Sequence, residues 1–240
     1  MLLAAGRGER MRPLTDACPK PLLRVGGRTL IEWHLLALAR AGIVDVVVNH
    51  AHLGGQIEQA LGDGARWNLR IRYSPEGEAL ETAGGIARAL PLLGDAPFVV
   101  AASDVFTDFD YTRAHSIAAR MQADDLLAWC VLVPNPAHHP DGDFALRDAR
   151  LLAEGEPRYE GEPRYEGEPR HTFSGIGVYR AALFDGVDPA RKAPLAPLLR
   201  AAATAGRAGG ERHDGRWIDV GTPQRLAALD AQLNSNRASA

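Results

Sequence analysis

Three stretches of this chain, VDVVVN at 44–49, PFVVAAS at 97–103 and LLAWCVLV at 126–133, are apolar along almost their whole length instead of alternating with polar residues. Strands with that pattern are buried on both faces, so both sides of their sheet must be covered. The segments between them supply the cover. TLIEWHLLALARA at 29–41 spaces its apolar residues as a helix does, with Thr29 placed to cap its start and Gly42 its end. LGGQIEQALG at 53–62 and TAGGIARAL at 82–90 read as further helices, the second capped by Thr82, and LRIRYS at 69–74 reads as a strand. Strands alternating with helices imply an α/β fold, a Rossmann-like mixed, mostly parallel sheet flanked by helices. Ligands of such sheets sit at the carboxyl ends of the strands. Met1–Ala5 is a short strand running into the loop at Gly6, and PFVVAAS delivers Asp104, so Gly6, Pro75–Gly85 and Asp104 should gather at that edge.

The later third is less regular. DFALRDARLLAE at 143–154 reads as a hairpin, HTFSGIGVY at 171–179 as a strand and APLAPLLRAAATAG at 193–206 as a helix. RWIDVGTPQRLAALDAQL at 216–233 is a strand and then a helix, with Thr222 as cap and Pro223 at its first position. Asp108 and Asp110 are expected to cap a helix over 111–122. No linker divides the chain, so 1–240 reads as a single domain. From Glu154 to His171 runs a direct repeat, EGEPRY, EGEPRY, EGEPRH. A β-helix can have a six-residue period, but it needs an aliphatic residue in each turn and this unit has none. The repeat is therefore expected to be a duplicated surface loop and not an appended domain. Lengthening such a loop costs only about 0.6 kcal/mol per doubling, so tolerated duplication is favoured over a lid on the site.

The formal charge of -3 argues against a general nucleic-acid binder, and no apolar run approaches a membrane span. MLLAA is too short for the apolar part of a secretion signal, and Cys18 and Cys130 have no metal-type or disulfide-framework spacing, so a cytoplasmic protein is expected. Among 27 basic residues only Lys20 and Lys192 are lysine. In so arginine-biased a chain a compact ammonium stands out, because a planar guanidinium does not reproduce it.

Lys20 lies in LLAAGRGERMRPLTDACPKPLL, residues 2–23. Two glycine motifs fail there. The dinucleotide fingerprint needs glycine at position 11, which is Met11, and the P-loop pattern has no match. What remains is G-x-G-x-R-M-x-P-L-T followed by P-K-P-L. Glycines after a strand let backbone N–H groups approach an anion, and Arg10 and Lys20 add mobile positive charge, which suits a triphosphate.

Residues 3–21 resemble the signature of the sugar-1-phosphate nucleotidylyltransferases, the pyrophosphorylases that make nucleotide sugars, and the resemblance extends along nearly the whole chain. SPEGEALETAGGI at 74–86 is similar to the family's base-reading segment, SDV at 103–105 stands where the family has its first metal aspartate, and WIDVGTP at 217–223 matches the second. NHAHLGGQIEQALGDG, PNPAHHPDGDF and TFSGI most resemble the bacterial uridylyltransferases that act on N-acetylmuramate 1-phosphate in cell-wall recycling. The resemblance implies a phosphate oxygen of a sugar 1-phosphate displacing pyrophosphate from a nucleoside triphosphate, UTP being favoured, with Mg²⁺ and no covalent enzyme intermediate. It implies that Ala5, Gly6, Gly8 and Arg10 hold phosphates, that Lys20 serves the α-phosphate, and that Asp104 and Asp219 bind Mg²⁺. It places Glu78, Thr82 and Gly84 at base and ribose, and Ser174, Gly175 and Lys192 on the sugar side. Residues 1–130 would then form the nucleotide part and 131–240 the sugar part.

The chain departs from the pattern at several points. Ser103 replaces the glycine before the metal aspartate, and Ala102 stands where the uridylyltransferases have Asn. The E-K-P segment that supplies a sugar-phosphate lysine in relatives reads EGEPR, so that task falls to Lys192 or an arginine, or is absent. The first strand begins almost at Met1, leaving room for a start upstream. His50 and His52 are read as loop or core residues and Trp217 as core. Two other readings compete, and no residue settles which base is read. A mannose-1-phosphate guanylyltransferase shares the same motifs. A non-catalytic nucleotide-sugar sensor would need no reason to keep Arg10, Lys20, Asp104 and Asp219 together.

Overall fold

The computed structural model describes residues 1–152 and 169–238. All but the last three residues of the EGEPR repeat therefore lie outside the described residues. The chain begins with β1 (Leu2–Leu3), α1 (Leu14–Ala17) and a small hairpin of β2 (Arg24–Val25) and β3 (Arg28–Thr29). Next come α2 (Leu30–Arg40), β4 (Asp45–His50), α3 (Gly54–Leu61), β5 (Arg70–Pro75), α4 (Glu81–Leu93), β6 (Phe98–Ala102), β7 (Val105–Thr107) and α5 (Arg113–Ala123). The remainder is β8 (Ala128–Val133), β9 (Phe144–Arg147), β10 (Arg150–Leu152), β11 (Arg170–Tyr179), α6 (Ala196–Thr204), β12 (Ala208–Arg212), β13 (Trp217–Asp219) and α7 (Pro223–Ala238). No helix among the described residues is long and apolar enough to cross a membrane.

Nine strands form one sheet in the order β5-β4-β1-β6-β11-β8-β12-β10-β9. Seven run one way, and β10 and β11 run against them, so the sheet is mixed and mostly parallel as expected. The β-branched runs are buried on both faces because neighbouring residues of a strand point to opposite sides. Val47, Val100 and Cys130 pack with α4 and α6 in one core. Val46, Val48, Ala101 and Val131 pack with α2 and α3 in the other. Each buried side chain of this size contributes about 1.5–3 kcal/mol of transfer free energy. A third core joins Met11, Val25, Leu30, Phe106 and Val220 to Leu229 and Leu233 of α7, fastening the C-terminal helix to the opening loop.

Thr29 caps α2 as expected, in a reciprocal arrangement with Glu32. Thr222 caps α7 through the Arg225 amide at 3.3 Å. Three local expectations need correction. Thr82 does not cap α4. It lies in the first turn, and the carbonyl of Ala193 takes the amides of Ala83 and Gly84 at 2.9 and 3.2 Å. A tertiary backbone contact has replaced the local side-chain cap. Asp108 accepts from the Arg216 amide and from His213, pinning a distant loop instead of capping α5. Asp110 holds Thr112 just ahead of α5, and the helix begins without a side-chain cap from either aspartate.

Strand β12, AGGER, was not expected from the sequence. It has no β-branched residue, yet it pairs with β8 along all five positions. Its glycines make room for neighbours on both faces: a Cβ on Gly209 would lie 2.6 Å from Trp129 Cε3, and one on Gly210 would lie 2.8 Å from the Cys130 carbonyl oxygen. Gly209→Ala should therefore overpack the core and destabilise the protein by about 1–3 kcal/mol, read as a lower midpoint in urea unfolding.

Candidate active site

The cleft is built at the carboxyl ends of β1, β4 and β6. β1 stops at Leu3, and the Ala4 amide donates to Asn49 Oδ1 at 2.9 Å. The chain then loops through Gly8, whose φ of 68° is left-handed and favours glycine. A Cβ there would also crowd Lys20 Cβ at 3.2 Å. The Thr15 hydroxyl donates to the Gly8 carbonyl at 2.8 Å and closes the loop. Buried Met11 anchors it in the third core. His52 donates to the Thr15 carbonyl and faces Arg7, while His50 donates to Glu58 at 2.7 Å, so both histidines are loop and core residues as read.

Lys20 opens a turn held by Leu22 and Leu23 amides donating to the carbonyls of Pro19 and Lys20. Its side chain is 8% exposed, and Nζ donates to Asp104 Oδ2 at 2.7 Å. Asp104 lies in the two-residue turn between β6 and β7. Ser103, before it, donates its hydroxyl to the Leu3 carbonyl at 2.5 Å, so this departure from the family pattern is satisfied against β1.

Pairing of β7 with β13 sets Val105 opposite Asp219, and the Val220 amide donates to the Asp104 carbonyl at 3.0 Å. The two aspartates, 115 positions apart in sequence (219 minus 104), are thus brought to one end of this pairing, Asp219 on β13 and Asp104 in the turn just before β7. Asp219 accepts from Arg225 at 2.7 Å and has His138 at 3.5 Å. Mg²⁺ takes one or two protein carboxylates and leaves its other positions to water and phosphate. Two hard oxygen donors fit that requirement, and among the described residues no group of three or more His, Cys, Asp and Glu could hold a metal by itself.

Behind Asp104, His34 is buried between Val105 and Tyr111. The Val105 carbonyl can only accept, so Nε2 carries the proton and donates at 2.7 Å, while Nδ1 accepts from the Tyr111 hydroxyl at 2.8 Å. Burial pushes the His34 pKa down, keeping the ring neutral.

On the other side of the cleft Glu76, only 7% exposed, has both carboxylate oxygens engaged. Oε1 accepts from Asn49 Nδ2 at 2.6 Å and Oε2 from the Leu80 amide at 2.8 Å. Through Asn49 it ties the turn before α4 to the start of the glycine loop. The sequence reading singled out Glu78 and missed Glu76 and Asn49. The single available signal was an acidic residue at the end of a strand, and two glutamates two positions apart gave no means of choosing.

The first cleft, of about 490 Å³, brings together Ala5, Gly6, Gly8, Arg10, Lys20, Thr82 and Asp104. A second, of about 470 Å³, includes Gly175 and shares Leu3, Glu81, Thr82 and Ala102 with the first. A third hollow beside them holds Arg10, Ser174, Gly175 and Asp219. Trp217 lines this hollow half-buried, its indole N–H donating to the Ser174 carbonyl at 2.9 Å. Gly84 does not line a cleft. It packs beneath residues 191–193, where a Cβ would lie 2.5 Å from the Arg191 carbonyl oxygen. Glu78 and Lys192 also stand outside, exposed and paired with each other. The ammonium holds the Glu78 carboxyl below its usual range.

The family model described as nucleotidyl transferase matches residues 1–142. The chain is 50% identical over 232 residues, 96% of each chain, to an N-acetylmuramate α-1-phosphate uridylyltransferase of Neisseria meningitidis serogroup B. It is 33% identical to a protein of the same name from Caulobacter vibrioides, over 97% of this chain and 96% of that one. The fold matches a Bacillus anthracis structure described as a glucose-1-phosphate thymidylyltransferase, with a TM-score of 0.80, 20% identity and coverage of 97% and 93% of the two chains.

These contacts lead to two expected outcomes. Glu76→Gln turns one acceptor into a donor facing another N–H, which should cost about 1–3 kcal/mol in unfolding measurements and weaken nucleotide binding in calorimetry. For His34, the unfolded chain takes up a proton near pH 6.5 that the folded state refuses. Stability should therefore fall as pH drops below 6.5 and level off once the lowered folded pKa is passed. His34→Gln should flatten that slope in urea titrations between about pH 8 and 5.

Proposed function

The chain belongs to the nucleotidyl transferase family, whose members move a nucleotidyl group onto a sugar 1-phosphate, and from that premise we propose that it joins UTP to N-acetylmuramate 1-phosphate, giving UDP-N-acetylmuramate and pyrophosphate in cell-wall recycling. One arrangement carries the chemistry: Gly6, Gly8, Arg10 and a buried Lys20 share a cleft with Asp104, beside Asp219. The uridylyltransferase names of two relatives matched over almost their full lengths support the choice of substrates.

No side chain acts as a nucleophile, because the sugar phosphate supplies the attacking oxygen. What the protein contributes is position and charge. Backbone amides at Gly6 and Gly8 and the guanidinium of Arg10 receive the triphosphate. Lys20, already beside Asp104, places a compact charge where negative charge builds at the α-phosphate. Asp104 and Asp219 would hold Mg²⁺, which neutralises phosphate charge when bound. The second cleft and the Ser174–Gly175 hollow take the sugar, so the first half of the chain serves the nucleotide and the second half the sugar.

The reading is tested by pyrophosphate release across four nucleoside triphosphates and a panel of sugar 1-phosphates. Turnover confined to UTP and N-acetylmuramate 1-phosphate is expected, and faster turnover with GTP and mannose 1-phosphate would replace that assignment. Lys20→Ala should lower kcat by roughly 10²–10³, by analogy with loss of an oxyanion donor. Lys20→Arg should recover little, because a planar guanidinium does not reproduce the compact charge that Lys20 sets beside Asp104. Asp104→Asn and Asp219→Asn should nearly abolish turnover while the thermal transition stays cooperative.

A further inference from the structure

Asp219 lies on β13, and Asp104 lies in the turn that leads into its partner β7. These two strands form a ribbon of their own, and among the described residues neither pairs with a strand of the nine-stranded sheet. The place of the ribbon is therefore set by what packs against it. Helix α2 supplies two such contacts from neighbouring residues. Trp33 meets Phe106 edge-on, with ring centroids 5.4 Å apart, and His34 reaches the backbone of Val105.

In an antiparallel ribbon, hydrogen-bonded and non-hydrogen-bonded residue pairs alternate. The Val220 amide donates to the Asp104 carbonyl at 3.0 Å, and the Asp108 amide donates to the Arg216 carbonyl at 3.1 Å. Residues 104 with 220 and 108 with 216 are thus bonded pairs. Val105, opposite Asp219, falls at a non-bonded pair, so its carbonyl points away from β13. Val105 is buried, and a buried carbonyl needs a donor. The Nε2–H of His34 supplies it at 2.7 Å.

The ring is held from behind as well. Its Nδ1 accepts from the hydroxyl of buried Tyr111 at 2.8 Å. Tyr111 stands edge-on to Phe109, and Phe109 stands edge-on to His213, each with centroids 5.6 Å apart. His213 in turn donates to Asp108 at the far end of the ribbon. An aliphatic side chain could fill the space at position 34. What the imidazole adds is a directed bond to one backbone atom, one residue from Asp104 and opposite Asp219.

We propose that His34 is a positioning residue for the metal site: its bond to the Val105 carbonyl fixes the separation of the Asp104 and Asp219 carboxylates, and so sets their affinity for a divalent cation. Mg²⁺ demands near-ideal octahedral geometry at about 2.0–2.1 Å, which makes it sensitive to small displacements of a carboxylate. His34 acts only through the backbone of the ribbon. The proposal rests on the reading of Asp104 and Asp219 as the metal ligands.

The test is the dissociation constant of Mn²⁺, used in place of Mg²⁺ and read by water-proton relaxation. The nucleoside triphosphate that the wild type turns over fastest is present, and the sugar phosphate is left out so that nothing reacts. His34→Asn keeps an acceptor for Tyr111 but is too short to reach Val105, and His34→Leu replaces the donor with an apolar side chain. Each should raise the constant at least fivefold. Each should also raise the Mg²⁺ concentration giving half-maximal rate, while KM for the sugar phosphate stays within twofold. His34→Gln, whose amide N–H stands near the place of Nε2, should return the constant to within twofold of wild type. Tyr111→Phe breaks the bond at the other ring nitrogen and keeps the one to Val105. It should lower Tm by a few degrees and leave the Mn²⁺ constant within twofold. Wild-type Mn²⁺ binding in His34→Asn and His34→Leu, or an equal loss of binding in Tyr111→Phe, would overturn the proposal and leave His34 a core residue. Asp104→Asn separates that result from a failure of the metal reading. Undiminished Mn²⁺ binding in that variant would overturn the reading and the proposal together, whereas lost binding there beside wild-type binding in the His34 variants would overturn the proposal alone.

Discussion

Leu2 and Leu3 are the whole of β1, and the cleft depends on how that short strand is held. On one side they pair with Val48 and Asn49 of β4, on the other with Ala101 and Ala102 of β6. Two residues make few ladder bonds, so side chains extend the pairing. Asn49 receives the amide of Ala4, and Ser103 gives both its amide and its hydroxyl to the carbonyl of Leu3. Three strands therefore end at one level, and each contributes to the site there: β1 leads into the glycine loop, β4 ends with Asn49 on Glu76, and the turn after β6 carries Asp104. Shifting β1 by one residue would exchange Leu2, wholly buried in a core, with its neighbour on the opposite face. The hydrophobic register and the geometry of the site are thus one constraint.

Around that edge the polar groups are fixed before any ligand arrives. Glu76 is a buried carboxylate that accepts from a side-chain amide and a backbone amide, the arrangement that makes burial of such a group tolerable. His34 fixes the strand beyond Asp104 through a neutral ring held on both nitrogens. The β7–β13 pairing brings the second aspartate in from the far end of the chain. Catalysis by position and charge benefits from such preorganisation, because donors and charges that are already placed need no rearrangement when the transition state forms.

Much of this was legible in the sequence, and the exceptions share a cause. The apolar runs at 44–49, 97–103 and 126–133 became strands because burial on both faces leaves a strong compositional trace. Gly8, Arg10, Lys20 and Asp104 were legible because their spacing is local and chemically unusual. β12 was not, since glycines required by the indole of Trp129 at one position and the carbonyl of Cys130 at the next erase the strand signal. The cap of α4 was assigned to Thr82 on local grounds, yet a carbonyl more than a hundred residues away performs it. Glu76 could not be separated from Glu78 because burial, and not residue type, distinguishes them. The left-handed turn at Glu81 left no trace because the residue there is not glycine.

Lys20 sits on Asp104, and Arg225 sits on Asp219. Each carboxylate in the resting molecule thus has a counter-ion belonging to the chain itself. Ligands arriving at such a site exchange partners with groups already paired. A polyanion placed there would compete with Asp104 for the ammonium, and a cation would compete with the ammonium for Asp104. Where two arrivals each release one member of the same ion pair, each would lower the cost of the other by the same amount, since coupling between two binding events is reciprocal.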